Sequence, residues 1–125
     1  MLGDKDAIAN ITVKDLGTAS KFYEDTLGLK EVGREGKELI TFRSGHSRIF
    51  VYRSQYAGTN RATAMTWIVG DDVERIAGAF KAKGVTFEHY DMPGMTLKGD
   101  VHVGGGMQIA WFKDPDGNIL SIVSG

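Results

Sequence analysis

The 125-residue chain predicts an α+β fold in which one small strand–helix–strands unit is used twice, and three observations carry that reading. Val13-Lys14-Asp15-Leu16, an amphipathic stretch and Leu27-Gly28-Leu29 are echoed by Val69-Gly70-Asp71-Asp72-Val73, a second such stretch and Lys83-Gly84-Val85. Each stretch is followed by short alternating segments bounded by glycine turns. The composition, 42% hydrophobic and 25% charged, is that of an average globular domain. A unit of about 55 to 60 residues is too small to bury a good core alone, so the two copies are expected to share one within a single domain, 1–125.

In the first module, about 7–53, the alternation of Ala7 to Val13 reads as a strand and Asp15 as the cap of a helix over Leu16 to Thr26. Leu16, Ala19, Phe22, Tyr23 and Leu27 form its apolar stripe, and Gly28 supplies a left-handed stop. Strands follow at Lys30 to Glu35, Leu39 to Ser44 and Arg48 to Arg53, completing a βαβββ order. The polar stretch Ser54 to Ala62 lacks periodicity and links the units.

The second module, about 63–123, opens with a strand at Met65 to Val69 and a helix from Val73 to Lys83 with the stripe Val73, Ile76, Ala77 and Phe80. Strands at Thr86 to Asp91, Met107 to Lys113 and Ile119 to Val123 repeat the pattern, and Asp114-Pro115-Asp116-Gly117 reads as a type I turn. Met92 to Gly106 is the longest irregular segment, with five of the 17 glycines. It reads either as a lid over a pocket or as a solvated crossover loop.

Composition narrows the function. A net charge of −1 with interspersed signs gives no footprint for nucleic acid. No apolar run approaches the roughly 20 residues that span a bilayer, and Met1 to Asp6 is polar rather than signal-like, so no membrane partner and a cytoplasmic location are expected. The absence of cysteine removes disulfides, thiolate metal sites and thiol nucleophiles. Asp114, Asp116 and Asn118 imitate the opening of a calcium loop, but Ile119 stands where that loop needs glycine and Gly125 where it needs glutamate. Gly104-Gly105-Gly106 precedes a strand rather than a helix and so lacks the N-terminus of a phosphate cradle.

Val13-Lys14-Asp15-Leu16, Ser20-Lys21-Phe22-Tyr23 with Leu27-Gly28-Leu29, and the closing Ala110-Trp111-Phe112-Lys113-Asp114-Pro115-Asp116-Gly117-Asn118-Ile119-Leu120 together resemble the vicinal oxygen chelate superfamily. That group holds glyoxalase I, extradiol dioxygenases, fosfomycin-resistance enzymes and bleomycin-resistance proteins. The resemblance covers nearly the whole chain. It implies two tandem βαβββ modules whose eight strands form an open cleft with the helices outside.

Many members bind a divalent cation through His, Gln or Glu on the first and last strand of each unit, where it acts as a Lewis acid. The implied positions here are Ile8, a residue within 48–53, Ala64 or Met65, and Ser121, and none carries such a side chain. The resemblance therefore points to the metal-free branch, with no metal and no cofactor.

Strand alternation then turns Ile8, Asn10 and Thr12, and Ile119, Ser121 and Val123, toward the cleft. Tyr52, Trp67, Tyr90 and Trp111 lie on or beside cleft strands and suit flat ligands. Trp67 stays open between cleft and core, because Asp71-Asp72 aligns in two registers. The expected ligand-binding set is Asn10, Thr12, Tyr52, Trp67, Tyr90, Trp111 and Ser121. His89 and His102 flank the glycine-rich segment and, with Glu88 and Asp91, are the candidate acids and bases, although exposed loop histidines are commoner than catalytic ones.

The expected function is metal-independent binding of a small organic molecule, aromatic or antibiotic-like, as in bleomycin-resistance-type proteins. The alternatives are a glyoxalase-like lyase or isomerase, or a dioxygenase-related enzyme, with an atypical site, and an interaction module. A homodimer is expected from the families resembled and from the prevalence of two-fold pairs.

Overall fold

The computed structural model describes all 125 residues, which divide into two compact units, Met1–Ala57 and Gly58–Gly125. Both are α+β, each an open sheet with a helix against one face, and in each the first strand pairs parallel with the last. The half-length echo is therefore an echo of topology as well as of residues.

In the first unit β1 (Ala9–Val13) leads through Asp15 into α1 (Leu16–Ser20). The Asp15 carboxylate accepts from the Thr18 backbone N–H at 2.8 Å and from the Thr18 hydroxyl at 2.7 Å, which satisfies an orphan donor of the first turn. These bonds hold the Asp15 carboxyl below its ordinary range. The expected single helix over 16–26 changes winding midway: Lys21–Thr26 is a π-helical segment, with the Leu27 N–H reaching the Phe22 carbonyl five residues back. An apolar stripe reports which residues face inward and carries no information on that winding.

The strands β2 (Lys30–Glu35), β3 (Leu39–Ser44) and β4 (Ser47–Arg53) follow, and the sheet order is β1-β4-β3-β2. Ile11, Val13, Ile40, Phe42, Ile49 and Val51 form one buried face. Tyr23 lies on it, its ring 6.0 Å from Phe42. Full burial of such side chains contributes about 1.5–3 kcal/mol each. The other face carries Asn10 and Thr12 of β1, Phe50 and Tyr52 of β4, and Leu39 and Thr41 of β3 in direct register.

The second unit begins with β5 (Thr63–Ile68) and α2 (Val73–Ala82). Asp72, the counterpart of Asp15, makes no cap hydrogen bond and instead pairs with Arg75 at 3.1 Å. Four strands were expected here and six are present: β5, β6 (Phe87–Glu88), β7 (Thr96–Lys98), β8 (Val101–Gly104), β9 (Met107–Lys113) and β10 (Ile119–Val123). Their order is β5-β10-β9-β8-β7, with β6 also paired to β9.

The expected strand over Thr86 to Asp91 thus shrinks to two residues, and the segment expected to be irregular holds a hairpin. Lys98 pairs with Val101 across Gly99-Asp100, with Gly99 at φ 62°. Gly104 pairs with Met107 across Gly105 and Gly106, at φ 58° and 78°. Two-residue hairpin loops need positive φ at these positions, so the glycines that looked like loop composition are turn residues.

Ala110, Phe112, Leu120 and Ile122 are buried on the face that meets α2, where Phe80 packs edge-on against Phe112 at 5.4 Å. At the β9–β10 turn the Asp114 carboxylate accepts from the backbone N–H of Asp116 and Asn118, both at 2.9 Å, and from the Asn118 side-chain amide at 2.8 Å. No helix is long and apolar enough to cross a membrane.

Candidate functional site

The open face of the second sheet is organised around Trp111, midway along β9. Its indole Nε1–H donates to the Thr63 hydroxyl at 3.2 Å. Its ring meets His102 edge-on at 4.8 Å and Tyr90 edge-on at 5.1 Å. Trp111 is half-buried and Tyr90 is exposed at its rim. Three flat side chains from β9, β8 and the segment after β6 therefore form one aromatic patch, held by a hydrogen bond at the indole end.

His102, 1% exposed, is part of this patch's foundation. The Tyr90 backbone N–H donates to its Nε2 at 3.0 Å, so Nδ1 carries the proton and donates to the Ile109 carbonyl at 3.3 Å. Both ring nitrogens are committed, which leaves none for proton transfer from this conformation.

The other candidate acids and bases are drawn into ion pairs or stand alone. Glu88 pairs with Lys113 at 2.7 Å, and this bond holds the Lys113 ammonium above its ordinary range. His89 Nε2 lies 2.8 Å from Asp100 Oδ1, and Lys81 approaches the same carboxylate at 3.4 Å. The His89 hydrogen bond, aided by Lys81, keeps the Asp100 carboxyl below the usual range. Asp91 is exposed.

Ser121 sits beneath the patch, 2% exposed, with its hydroxyl 2.7 Å from that of Thr66. The metal-ligand position that the resemblance implies on this strand is Ala64 or Met65. A register shift between Ile119 and Leu120 instead places Thr66 opposite Ser121, because a bulge inserts one residue and turns the next side chain over. The same register puts Trp67 opposite Ile122, on the face packed against α2, so the two tryptophans lie on opposite faces of the sheet.

In the first unit Asn10, Thr12 and Tyr52 share the face away from α1, joined by Phe50, which the sequence reading had not singled out. Asn10 donates its amide N–H to the Ile8 carbonyl at 3.3 Å. A separate depression of about 370 Å³ is lined by Lys14, Glu38, Arg53, Ser54 and Gln55. Thr63 was missed because the first strand of the second unit starts two residues earlier than its hydrophobic pattern indicates, and Thr66 because the bulge changes which side chain faces Ser121.

The positions at which the family resemblance implies metal ligands make a poor donor set. Ala9 pairs with Ile49, so the β4 residue one step along from Ile49, level with Ile8, is Arg48. Hydrocarbon side chains at Ile8 and at Ala64 or a thioether at Met65, a guanidinium at Arg48 and a Ser121 hydroxyl already bonded to Thr66 do not fit a hard divalent cation, which needs several unencumbered anionic or carbonyl oxygens or imidazoles. No three His, Asp or Glu side chains converge in the structure.

Residues 6–122 match the family model of the Glyoxalase/Bleomycin resistance protein/Dioxygenase superfamily. No curated protein sequence matches the chain. Among solved structures, lactoylglutathione lyase from Agrobacterium tumefaciens superposes with a TM-score of 0.71 at 19% identity, covering 95% of this chain and 92% of that one. The fosfomycin resistance protein FosX from Mesorhizobium loti gives 0.71 at 14% identity, covering 98% and 92%. FosX from Listeria monocytogenes, complexed with Mn(II) and sulfate, gives 0.73 at 17% identity, covering 98% and 90%. At these identities the shared property is the fold. With the family match spanning nearly the whole sequence, the chain belongs to the Glyoxalase/Bleomycin resistance protein/Dioxygenase superfamily.

Proposed function

We propose that this protein binds a small, flat organic molecule against the Trp111 face of its second sheet, without a metal ion. The observation that carries the reading is the Trp111–Tyr90–His102 patch, in which an indole fixed by Thr63 presents an aromatic surface. Such a surface favours stacking with an aromatic or antibiotic-like ligand. The polar groups beside it, Thr66 and Ser121, are neutral and satisfied by each other, which suits an uncharged region of the ligand. Residence in the cytoplasm and assembly as a homodimer belong to the same proposal, and light scattering tests the second.

The test is a thermal-shift screen of flat aromatic compounds in EDTA, followed by tryptophan fluorescence titration of the hits. Trp67→Phe removes the signal from the opposite face and leaves Trp111 as reporter. Trp111→Ala is expected to weaken binding about tenfold. Binding that required an added divalent metal, or that Trp111→Ala left unchanged, would overturn the reading.

One observation favours a second reading, a glyoxalase-like lyase or isomerase with an atypical site. The His89–Asp100 pair is an imidazole–carboxylate dyad with His89 accessible to solvent. Turnover of a candidate substrate that is abolished by His89→Gln would establish it.

A further inference from the structure

The open face of the first sheet carries a row of cations that the folded chain does not neutralise. Arg43 of β3 stands directly opposite Arg48 of β4, and on its other side directly opposite Lys30 of β2. Directly opposed side chains share a face and have Cβ atoms about 4.5–5.5 Å apart, where like charges destabilise a sheet. All three residues are exposed, and none of their side chains takes part in an ion pair or hydrogen bond. The acidic residue on that face, Glu35, is opposite Leu39, four residues from Arg43 along β3 and so about 13 Å away.

The next positions along the same face give the row a neighbour of different chemistry. Thr41 and Phe50 are paired one step inward, and Asn10 pairs with Phe50 on its far side. A half-buried phenyl ring and two neutral hydrogen-bonding groups thus border three unpaired cations. Two guanidiniums side by side present planar N–H forks suited to carboxylate or phosphate oxygens. A fold that keeps like charges opposed across two strand pairs tolerates a cost that an anion would relieve.

We infer that Lys30, Arg43 and Arg48 form an oxyanion-binding site on the first sheet, which takes a small aryl carboxylate or aryl phosphate with its ring over Phe50. These residues belong to the first unit and the Trp111 patch to the second. Its test runs on arginine variants and that of the patch on Trp111→Ala, so either can fail alone.

The experiment is isothermal titration of the full chain with phenyl phosphate, benzoate, inorganic phosphate and benzyl alcohol at low salt, repeated with Arg43→Gln, Arg48→Gln and the double variant. Phenyl phosphate or benzoate is expected to bind at least tenfold more tightly than benzyl alcohol, and each single variant to weaken that binding about tenfold. The stronger of the two ligands identifies the oxyanion, and competition by inorganic phosphate marks the phosphate case. Melting temperatures of the variants are expected to equal or exceed that of the parent, because a like-charge contact has been removed. Equal affinity in the double variant would overturn the proposal, as would binding to a DNA duplex with none to the small anions.

Discussion

Substituting Asp114 by alanine tests whether the Asp-Pro-Asp-Gly-Asn turn is held by its first carboxylate. Asp114 is 4% exposed and so is Asn118, whose backbone N–H and side-chain amide both donate to that carboxylate, at 2.9 and 2.8 Å. The third donor, the Asp116 N–H, belongs to a half-exposed residue that water can reach. Alanine leaves two buried donors without their acceptor, each costing about 1–3 kcal/mol. The two losses share one site and do not add in full, so the expected destabilisation is about 3–4 kcal/mol. The backbone pair between Asp114 and Asn118 and the Gly117 N–H bond survive the change, and the turn loosens without being deleted. Urea unfolding followed by circular dichroism should show a lower midpoint at unchanged slope, and a melting temperature lower by roughly 10 °C. Asp114→Asn keeps an acceptor for the backbone donors and should lose less than half as much. An alanine variant within about 1 kcal/mol of the parent would refute the reasoning, since the backbone bonds alone would then suffice.

Two further outcomes follow from local geometry. A Cβ at Gly104 would run into the carbonyl oxygen of Gly94, so Gly104→Ala should cost about 1–3 kcal/mol and expose the Thr96–Gly104 hairpin to faster amide exchange. Asp100 titrates below an unfolded carboxyl because of His89 and Lys81, so its contribution is complete above about pH 4 and is lost as pH falls through the lower folded value. The stability gap between the parent and Asp100→Asn should therefore close in acid, and a gap independent of pH down to pH 2 would contradict the pairing.

Much of the secondary structure was legible from residues alone. Lys30–Glu35, Leu39–Ser44, Met107–Lys113 and Ile119–Val123 fall where alternation and turn residues put them, because both signals are local. Asp15 caps the first helix as its position suggests, and the Asp114 turn forms as its composition suggests. The hairpin after Pro93 escaped notice because glycines that serve tight turns and glycines that serve loops look alike in one dimension. The π-helical winding of Lys21–Thr26 escaped for a related reason, since apolar spacing does not say which carbonyl each N–H reaches.

The candidate sites divide along the same line. Strand parity was enough to put Asn10 and Thr12 on one face of β1 and Ile119, Ser121 and Val123 on one face of β10, while the pairing register set Tyr52 beside Thr12 and Trp111 beside Ser121. Parity could not place Trp67, nor find Thr66 opposite Ser121, because a single bulged residue in β5 reverses every later assignment. The row of Lys30, Arg43 and Arg48 is likewise invisible in sequence, where its members belong to three different strand segments. The sequence by itself determined the duplicated α+β units and their turns, which depend on contacts within a few residues. Only the tertiary structure decided which side chains stand opposite one another, because register is set by pairing between strands distant along the chain.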